Sequence, residues 1–224
     1  MKKTILAAAL AGLATGAHAG ILTYVETFGT FGDPTDLPTN INETLTASGW
    51  AADLPAGATN IVFTVEVRGT LSSQGSVTNT GATSTTAAAV VQLLSDWTAV
   101  TTNLASADVT FGSAPEQIIN VDLGTINGGE TVDFGPETVD EGWITTYTGT
   151  YSGTDITYAF SNQVVSYAVG SGNFDTSIVT GSAGGLRVTV TYDDPPSQVP
   201  TPAPIALMGL GLLGFGIRRR MKRA

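Results

Sequence analysis

Apolar and polar residues alternate with a period of two along much of the chain. In residues 61–68 (IVFTVEVR) every second side chain is apolar, and residues 186–192 (LRVTVTY) repeat the pattern. Successive side chains of a strand point to opposite faces of a sheet. Both segments are therefore predicted to be strands with one buried and one exposed face.

The same reasoning predicts further strands along the chain. Residues 86–94 (TAAAVVQLL) also suit a helix by propensity, but we interpret them as a strand. Ser152 and Gly153 separate two predicted strands, and this spacing predicts a hairpin connection. The additional strands are at residues 21–28, 86–94, 116–123, 143–151, 154–160, 164–169 and 176–180.

The predicted strands are short and are separated by Gly, Asn, Asp and Pro, and no helical period is sustained between them. This organisation is typical of an all-β protein with an antiparallel β-sandwich. We assign the sandwich to residues 20–194, a length that can bury a single core. A signal helix is expected before it and a single transmembrane helix after it.

The N-terminal residues have the three parts of a secretory signal. Lys2 and Lys3 precede an apolar stretch at residues 4–14, and Ala17-His18-Ala19 is a small-x-small cleavage site. We predict that residues 1–19 are removed by signal peptidase and that the mature chain begins at Gly20. The alternative is an ordinary N-terminal helix.

The C-terminal residues also divide into three parts. Residues 195–204 are a Pro-rich linker that contains Val199-Pro200-Thr201-Pro202, and proline excludes a helix interior there. Residues 205–217 are apolar and are predicted to form a transmembrane helix. Residues 218–224 form a basic tail that begins with Arg218-Arg219-Arg220. Because basic flanks stay in the cytoplasm, the sandwich is expected outside the inner membrane.

Charge is distributed very unevenly. All 19 Asp and Glu lie between residues 20 and 198, where Arg68 and Arg187 are the only cations, so this span has a net charge of −17. Nucleic-acid binding is excluded because it depends on Lys and Arg contacts to phosphate. The chain has no Cys, and its one histidine, His18, lies in the predicted signal. These absences exclude a Ser–His–Asp triad and a thiolate nucleophile in the mature protein.

Carboxylates are the abundant titratable groups, and they suggest two kinds of site. A two-carboxylate glycosidase is one, but Asp140/Glu141 and Asp193/Asp194 are adjacent pairs, which point to opposite faces of a strand. A calcium site is the other, although no D-x-D-x-D-G loop is present. No other cofactor is expected. The oxygen-rich segments are residues 33–36, Asp133, residues 137–141 and residues 193–194.

Three aromatic residues lie at a spacing of four on one predicted strand. Trp143, Tyr147 and Tyr151 are expected to share a face. Such a face can stack on sugar rings, which makes these residues a candidate glycan platform. The alternative, which we favour, is that the rings pack into the sandwich core.

The C-terminal tail resembles the PEP-CTERM sorting signal of Gram-negative bacteria. The likeness covers residues 199–223 and rests on the Pro-rich motif, the short Gly/Leu-rich apolar span and the Arg cluster, with Thr201 where the family usually has Glu. The resemblance implies processing by an exosortase, passage through the inner membrane, and a final position at the cell surface or outside the cell. It also implies an exopolysaccharide-producing host. The alternative is a simple tail anchor.

Residues 21–193 resemble the choice-of-anchor E domain, a β-rich exported module. The likeness rests on Tyr24–Phe28 (YVETF), Arg68–Thr70 (RGT), Gly170–Gly172 (GSG) and Val188–Tyr192 (VTVTY). That family has no established catalytic residues. We therefore expect a non-enzymatic exported protein of the cell surface or biofilm matrix. A carbohydrate-binding module or adhesin is the alternative, and a carboxylate-based glycan hydrolase comes third.

Overall fold

The computed structural model describes residues 4–5, 19–31, 40–101, 104 and 117–195. These residues form ten strands and one helical turn, α1 (Trp50–Asp53). The strands are β1 (Thr4–Ile5), β2 (Ala19–Phe28), β3 (Asn40–Ser48), β4 (Thr59–Asn79), β5 (Thr85–Ala99), β6 (Gln117–Ile126), β7 (Thr131–Asp140), β8 (Ile144–Gly149), β9 (Asp155–Gly170) and β10 (Phe174–Asp193).

The strands form two antiparallel sheets that pack face to face, which confirms the predicted β-sandwich. Sheet A has the order β1-β2-β10-β4-β7, and β8 also pairs with β4. Sheet B has the order β3-β9-β5-β6. The buried faces of both sheets carry the apolar residues of the alternating pattern, as in other sandwiches.

Two long strands form the backbone of sheet A. β4 and β10 are antiparallel partners from Phe174 opposite Asn79 to Asp193 opposite Thr59. At about 3.3 Å per residue, this pair is roughly 65 Å long. We call the half of the sandwich with β10 residues 184–193 the near half, and the half with residues 174–183 the far half. β2 flanks β10 only in the near half, while β7 flanks β4 only in the far half.

The near half contains the largest core cluster, which is rich in aromatic rings. Trp97 lies 4.6 Å from Phe160, and Phe28 lies 4.8 Å from Phe160, between ring centroids. Gly184 faces this group, where a Cβ would lie 2.8 Å from the Trp97 ring and closer still to Phe28. Glycine at this position therefore allows the two rings to pack against the backbone of β10. The far half has two smaller clusters, one of which includes Phe134, while the other is aliphatic.

Most predicted strands are confirmed, but several are longer than the pattern indicates. Residues 154–160 and 164–169 belong to one strand, β9, and residues 176–180 and 186–192 both belong to β10. Residues 86–94 lie in β5, so the strand interpretation is correct there. The pattern is interrupted by polar and small residues, yet backbone pairing with neighbouring strands continues across the interruptions.

Three described strands were not predicted: β3, β7 and the two-residue β1, which falls within the expected signal helix. β7 contains Gly135 and Pro136, which are joined by a cis peptide bond, and exposed acidic residues also interrupt its pattern. β3 has a clearer signal, because Ile41, Leu45 and Ala47 occupy alternating positions and are buried. Its polar residues between these positions obscured the period.

The predicted hairpin at Ser152–Gly153 is wrong. β8 pairs with β4 in sheet A, whereas β9 pairs with β3 and β5 in sheet B. The segment between them crosses from one sheet to the other. A short turn sequence between two strands is compatible with both arrangements, since the tertiary packing selects the partners.

The two terminal helices expected from the sequence lie outside the described residues, apart from Thr4 and Ile5. These two residues are extended and pair with Val25 and Tyr24 of β2 rather than forming helix. In the part of the chain that the structure describes, no helix has the length and apolar character needed to span a membrane.

Candidate functional site

The signal-cleavage junction lies at the start of β2. Ala19 is opposite Asp193 and Gly20 is opposite Tyr192, while Ala17 lies outside the described residues. The ring of Tyr192 occupies the space that a side chain at residue 20 would need. Cleavage after Ala19 would leave Gly20 as the first residue of the edge strand, beside the last strand of the domain.

The C-terminal candidate residues lie just beyond the described chain. Val199–Pro202 and Arg218–Arg220 are outside the described residues, which end at Pro195. β10 ends at Asp193, five residues before Gln198, which directly precedes the Val199–Pro202 motif. Five extended residues span at most about 18 Å. The sandwich therefore has Gly20, the predicted mature N-terminus, and the start of its tail at the end of the near half.

The structure does not bring Trp143, Tyr147 and Tyr151 onto one exposed face. In the pairing of β8 with β4, Thr145 is opposite Glu66 and Tyr147 is opposite Val65, so Thr146 is an extra residue. This bulge reverses the alternation between Trp143 and Tyr147. The three rings consequently point to different sides of sheet A.

Tyr147 and Tyr151 pack against the core of the near half, as the alternative interpretation predicted. The Tyr151 ring lies 5.7 Å from Phe63 and 6.0 Å from Trp50, between centroids. Its hydroxyl donates a hydrogen bond to the carbonyl of Asp155. Burial raises the pKa of Tyr151, which favours the protonated hydroxyl that donates this hydrogen bond.

Trp143 lies instead on the outer face of sheet A, half-buried, above Gly185. The guanidinium carbon of Arg187 is 4.5 Å from the centroid of the Trp143 ring, a cation–π contact. Arg187 also donates two hydrogen bonds to Glu66, from Nε to Oε2 at 2.5 Å and from Nη2 to Oε1 at 2.7 Å. The ring, the cation and the carboxylate form a single packed unit.

The second arginine has an equivalent environment on the same face. Arg68 donates from Nε to Asp140 Oδ1 at 3.0 Å, and its Nη2 contacts Asp140 Oδ2. Its guanidinium carbon is 4.2 Å from the centroid of the Phe31 ring. The hydrogen bonds from Arg68 lower the pKa of Asp140 below its ordinary value, and Asp140 raises the pKa of Arg68. Each of the two arginines is thus neutralised by a carboxylate.

A row of four threonines crosses the same outer face. Thr189 of β10 is opposite Thr23 of β2 and Thr64 of β4, and Thr64 is opposite Thr148 of β8. Neighbouring strands are about 4.8 Å apart, so the four hydroxyl-bearing side chains follow a line across the sheet. Thr189 and Thr64 lie two residues from Arg187 and Glu66 on their strands, so the row borders the unit of Trp143, Arg187 and Glu66.

The carboxylates do not assemble into a metal centre in the described part of the chain. No three His, Cys, Asp or Glu residues there are close enough to hold a metal ion. Asp140 is paired with Arg68, and Asp193 accepts a hydrogen bond of 2.7 Å from Asn60. The oxygen-rich segment at residues 33–36 lies outside the described residues.

Sequence reasoning missed the partners of the two arginines and the threonine row. The arginine partners had a usable signal, because two cations among 19 carboxylates are expected to form ion pairs. The threonine row had none, since it depends on the register of four strands that are distant in the chain.

Comparison with solved structures gives matches of low similarity. A structure of Desmodium yellow mottle tymovirus is 11% identical with a TM-score of 0.22, covering 88% of this chain and 100% of that one. A structure of the Gx strain of infectious bursal disease virus is 11% identical with a TM-score of 0.15, covering 86% of this chain and 43% of that one. Similarity at this level carries no inference about function. No curated protein matches the chain.

The family model for the PEP-CTERM protein-sorting motif matches residues 198–220. This match contains Val199–Pro202, the apolar span 205–217 and Arg218–Arg220, the three parts recognised in the sequence. It begins five residues after the last strand of the sandwich. The chain therefore carries a PEP-CTERM protein-sorting motif at residues 198–220.

Proposed function

We propose that this chain is a non-enzymatic protein that an exosortase-type enzyme processes and releases to the cell surface or the biofilm matrix. The PEP-CTERM motif at residues 198–220 carries the proposal, because this motif marks a protein for export and sorting through a membrane intermediate. The β-sandwich is the cargo. Its resemblance to the choice-of-anchor E domain belongs to the same proposal and is supported by the all-β fold.

The non-enzymatic part of the proposal is supported by the chemistry of the side chains. The mature chain would have neither Cys nor His, which leaves carboxylates as the main acid–base groups. A glycosidase needs a general acid with a raised pKa. Asp140 has the opposite shift, because Arg68 stabilises its charged form. Its neighbour in the chain, Glu141, is exposed.

The position of the cut tests the sorting proposal. We expect mass spectrometry of the exported protein to find a C-terminus near Pro200 in a host that has the sorting enzyme. Replacing Arg218–Arg220 with Gln, or deleting the enzyme, should leave the basic tail attached and the protein in the membrane fraction. Ser197→Ala, directly before the matched residues, is the control and should be processed normally. Identical C-termini in all four cases would contradict the proposal.

A second function, polysaccharide binding, is favoured by the outer face of sheet A. The row of Thr23, Thr189, Thr64 and Thr148 offers hydroxyls beside the half-buried Trp143. Trp143→Ala and the double variant Thr64→Val/Thr189→Val should each weaken retention on the host polysaccharide about tenfold or more, whereas Thr44→Val on sheet B should not. Equal retention of all variants would exclude this face.

A further inference from the structure

Among the described strands, both sheets lack an edge partner on the same side of the far half. β3 ends opposite Gln163, so residues 164–170 of β9 have β5 on one side and no described strand on the other. β2 ends opposite Gly184, so residues 174–183 of β10 likewise have only β4 among the described strands. Unpaired N–H and C=O groups along such an edge are a template for another strand.

The open edge of β9 is apolar and without charge. Residues 156–174 contain no Asp, Glu, Lys or Arg, although the span 20–198 holds 19 carboxylates. Tyr167 is 38% exposed and Val169 is 49% exposed, and Ser166 is also exposed. The segment from Val164 to Gly170 has neither proline nor any protective lysine, and its residues have high β-propensity.

Exposed apolar side chains also lie on the outer face of sheet B near this edge, with the polar Gln92 among them. Val165 is opposite Gln92, which is opposite Ile118 on β6, and Ile118 is 40% exposed. Leu94, on the same face, is 41% exposed. Exposed apolar side chains beside a strand edge without a described partner favour an interaction surface there.

The other long edges of the sheets carry protective features that the β9 edge lacks. β7 has Asp133, Pro136 and Glu137, and its pairing with β4 is irregular between Ser73 and Gly75. β6 has Asp122 and pairs with β5 through a bulge. Glu43 and Glu26 lie on β3 and β2. Charges, proline and bulges on an edge prevent strand addition.

The distribution of charge on the domain indicates which partner can pair with the β9 edge. Two copies of a domain with a net charge of −17 repel each other, and pairing through β6 or β7 would add contacts between carboxylates. The β9 edge of a second copy is equally free of charge, so pairing there avoids like charges at the contact. An antiparallel pair of identical strands also has the twofold symmetry of an isologous dimer.

We propose that residues 164–170 of β9 pair antiparallel with the same residues of a second copy of this chain. In the far half, where sheet B consists of β9, β5 and β6, this pairing joins two three-stranded sheets into one of six strands. The exposed side chain of Tyr167 then lies at the twofold axis beside its own counterpart, and Val169 lies opposite Val165 of the second copy. This interface is separate from the sorting motif, so it can fail while the proposed sorting holds.

Cysteine cross-linking locates the interface, because the chain has no cysteine of its own. Single cysteines at positions 165–169 of the full-length chain are oxidised in its host membrane or in mild detergent. In a symmetric antiparallel pair only the residues at the twofold axis approach their own counterparts closely enough for a disulfide. We expect one or two adjacent positions to give covalent dimers, and Asn120→Cys on the exposed β6 edge to give few. Equal yields at all positions would overturn the proposal.

Lysine substitutions on the strand edges provide a second test, in which the mass of the protein in solution is measured. Wild-type protein should have the mass of a dimer by light scattering, and Ser166→Lys or Tyr167→Lys should convert it to a monomer because two lysines would meet at the axis. Asn120→Lys is the matched control and should remain a dimer. A monomeric wild type, a dimer that both lysine variants retain, or a particle that contains a different protein would each overturn the proposal. Thermal unfolding of each variant verifies that it is folded.

Discussion

Arg68 and Arg187 share one arrangement on the outer face of sheet A. Each guanidinium contacts a carboxylate through two nitrogens and lies over an aromatic ring, Asp140 with Phe31 in one case and Glu66 with Trp143 in the other. The guanidinium is planar, so two of its N–H groups can bind the carboxylate while its flat face stacks on the aromatic ring. The two arginines therefore link β4 to β7 and β10 to β4, and they leave no free cation on this face of the described chain.

The Arg68–Asp140 pair makes stability depend on acid pH. We expect Asp140→Asn to lower the free energy of unfolding by about 0.5–1 kcal/mol at pH 7, the usual size for a partly exposed pair. Arg68 lowers the folded-state pKa of Asp140 below the unfolded value of about 3.9. The stabilisation is therefore present above that value and is lost as the pH falls through the folded pKa.

Urea denaturation of both proteins between pH 7 and pH 2 measures this effect. The two stability curves should converge at the acid end. Asp175→Asn, which removes an exposed carboxylate from β10, is the control and should change stability less. A difference between wild type and Asp140→Asn that stays constant with pH would show that the ion pair is not its cause.

One extra residue in β8 determines which aromatic rings are exposed. Thr146 interrupts the pairing with β4, and its hydroxyl donates to the carbonyl of Val65 while accepting from Tyr158. The spacing of four predicts that Tyr147 and Tyr151 share a face with Trp143. Beyond the bulge, however, both tyrosines pack against the core. A period-two pattern cannot show a bulge, because the sequence on both sides still alternates.

Among the strands, the central pair β4 and β10 shows how tertiary contacts extend a local pattern. Gly75 lies where a Cβ would clash with the carbonyl of Ser177, and Gly184 makes room for Phe28 and Trp97. In the sequence these glycines and their polar neighbours end the apolar alternation. In the sandwich they are required by close packing, so the strands continue through them.

The order of the strands explains why the last one is essential. β10 is the C-terminal strand of the sandwich, yet it lies in the middle of sheet A between β2 and β4. Sheet A is incomplete without residues 174–193. The matched sorting motif begins at residue 198, five residues after this strand ends.

For the whole molecule, charge has a measurable effect on stability. The span from residue 20 to residue 198 has a net charge of −17, and repulsion among its carboxylates destabilises the compact state. Salt reduces this repulsion, since the Debye length falls from about 30 Å at 0.01 M to about 3 Å at 1 M. We expect the melting temperature to rise with sodium chloride, by about 2–4 °C for each kcal/mol gained.

A comparison of calcium with magnesium distinguishes general screening of the negative charge from binding at a specific calcium site. Because no three carboxylates cluster in the described residues, millimolar calcium should raise the melting temperature no more than magnesium at the same concentration. Calorimetry or circular dichroism with both ions makes the comparison. A rise specific to calcium would contradict this expectation and would direct attention to the acidic segment at residues 33–36.

The β-sandwich, the acidic charge and the sorting tail can be predicted from the amino-acid sequence alone. They depend on local alternation, on composition and on a contiguous motif, none of which requires knowing which strands are neighbours. The crossing from β8 to β9, the separation of Trp143 from Tyr147 and Tyr151, the threonine row and the β9 edge without a described partner are seen only in the folded molecule. Each of these depends on the register and neighbours of strands far apart in the chain, and strand pairing is set by the packing of the whole sandwich.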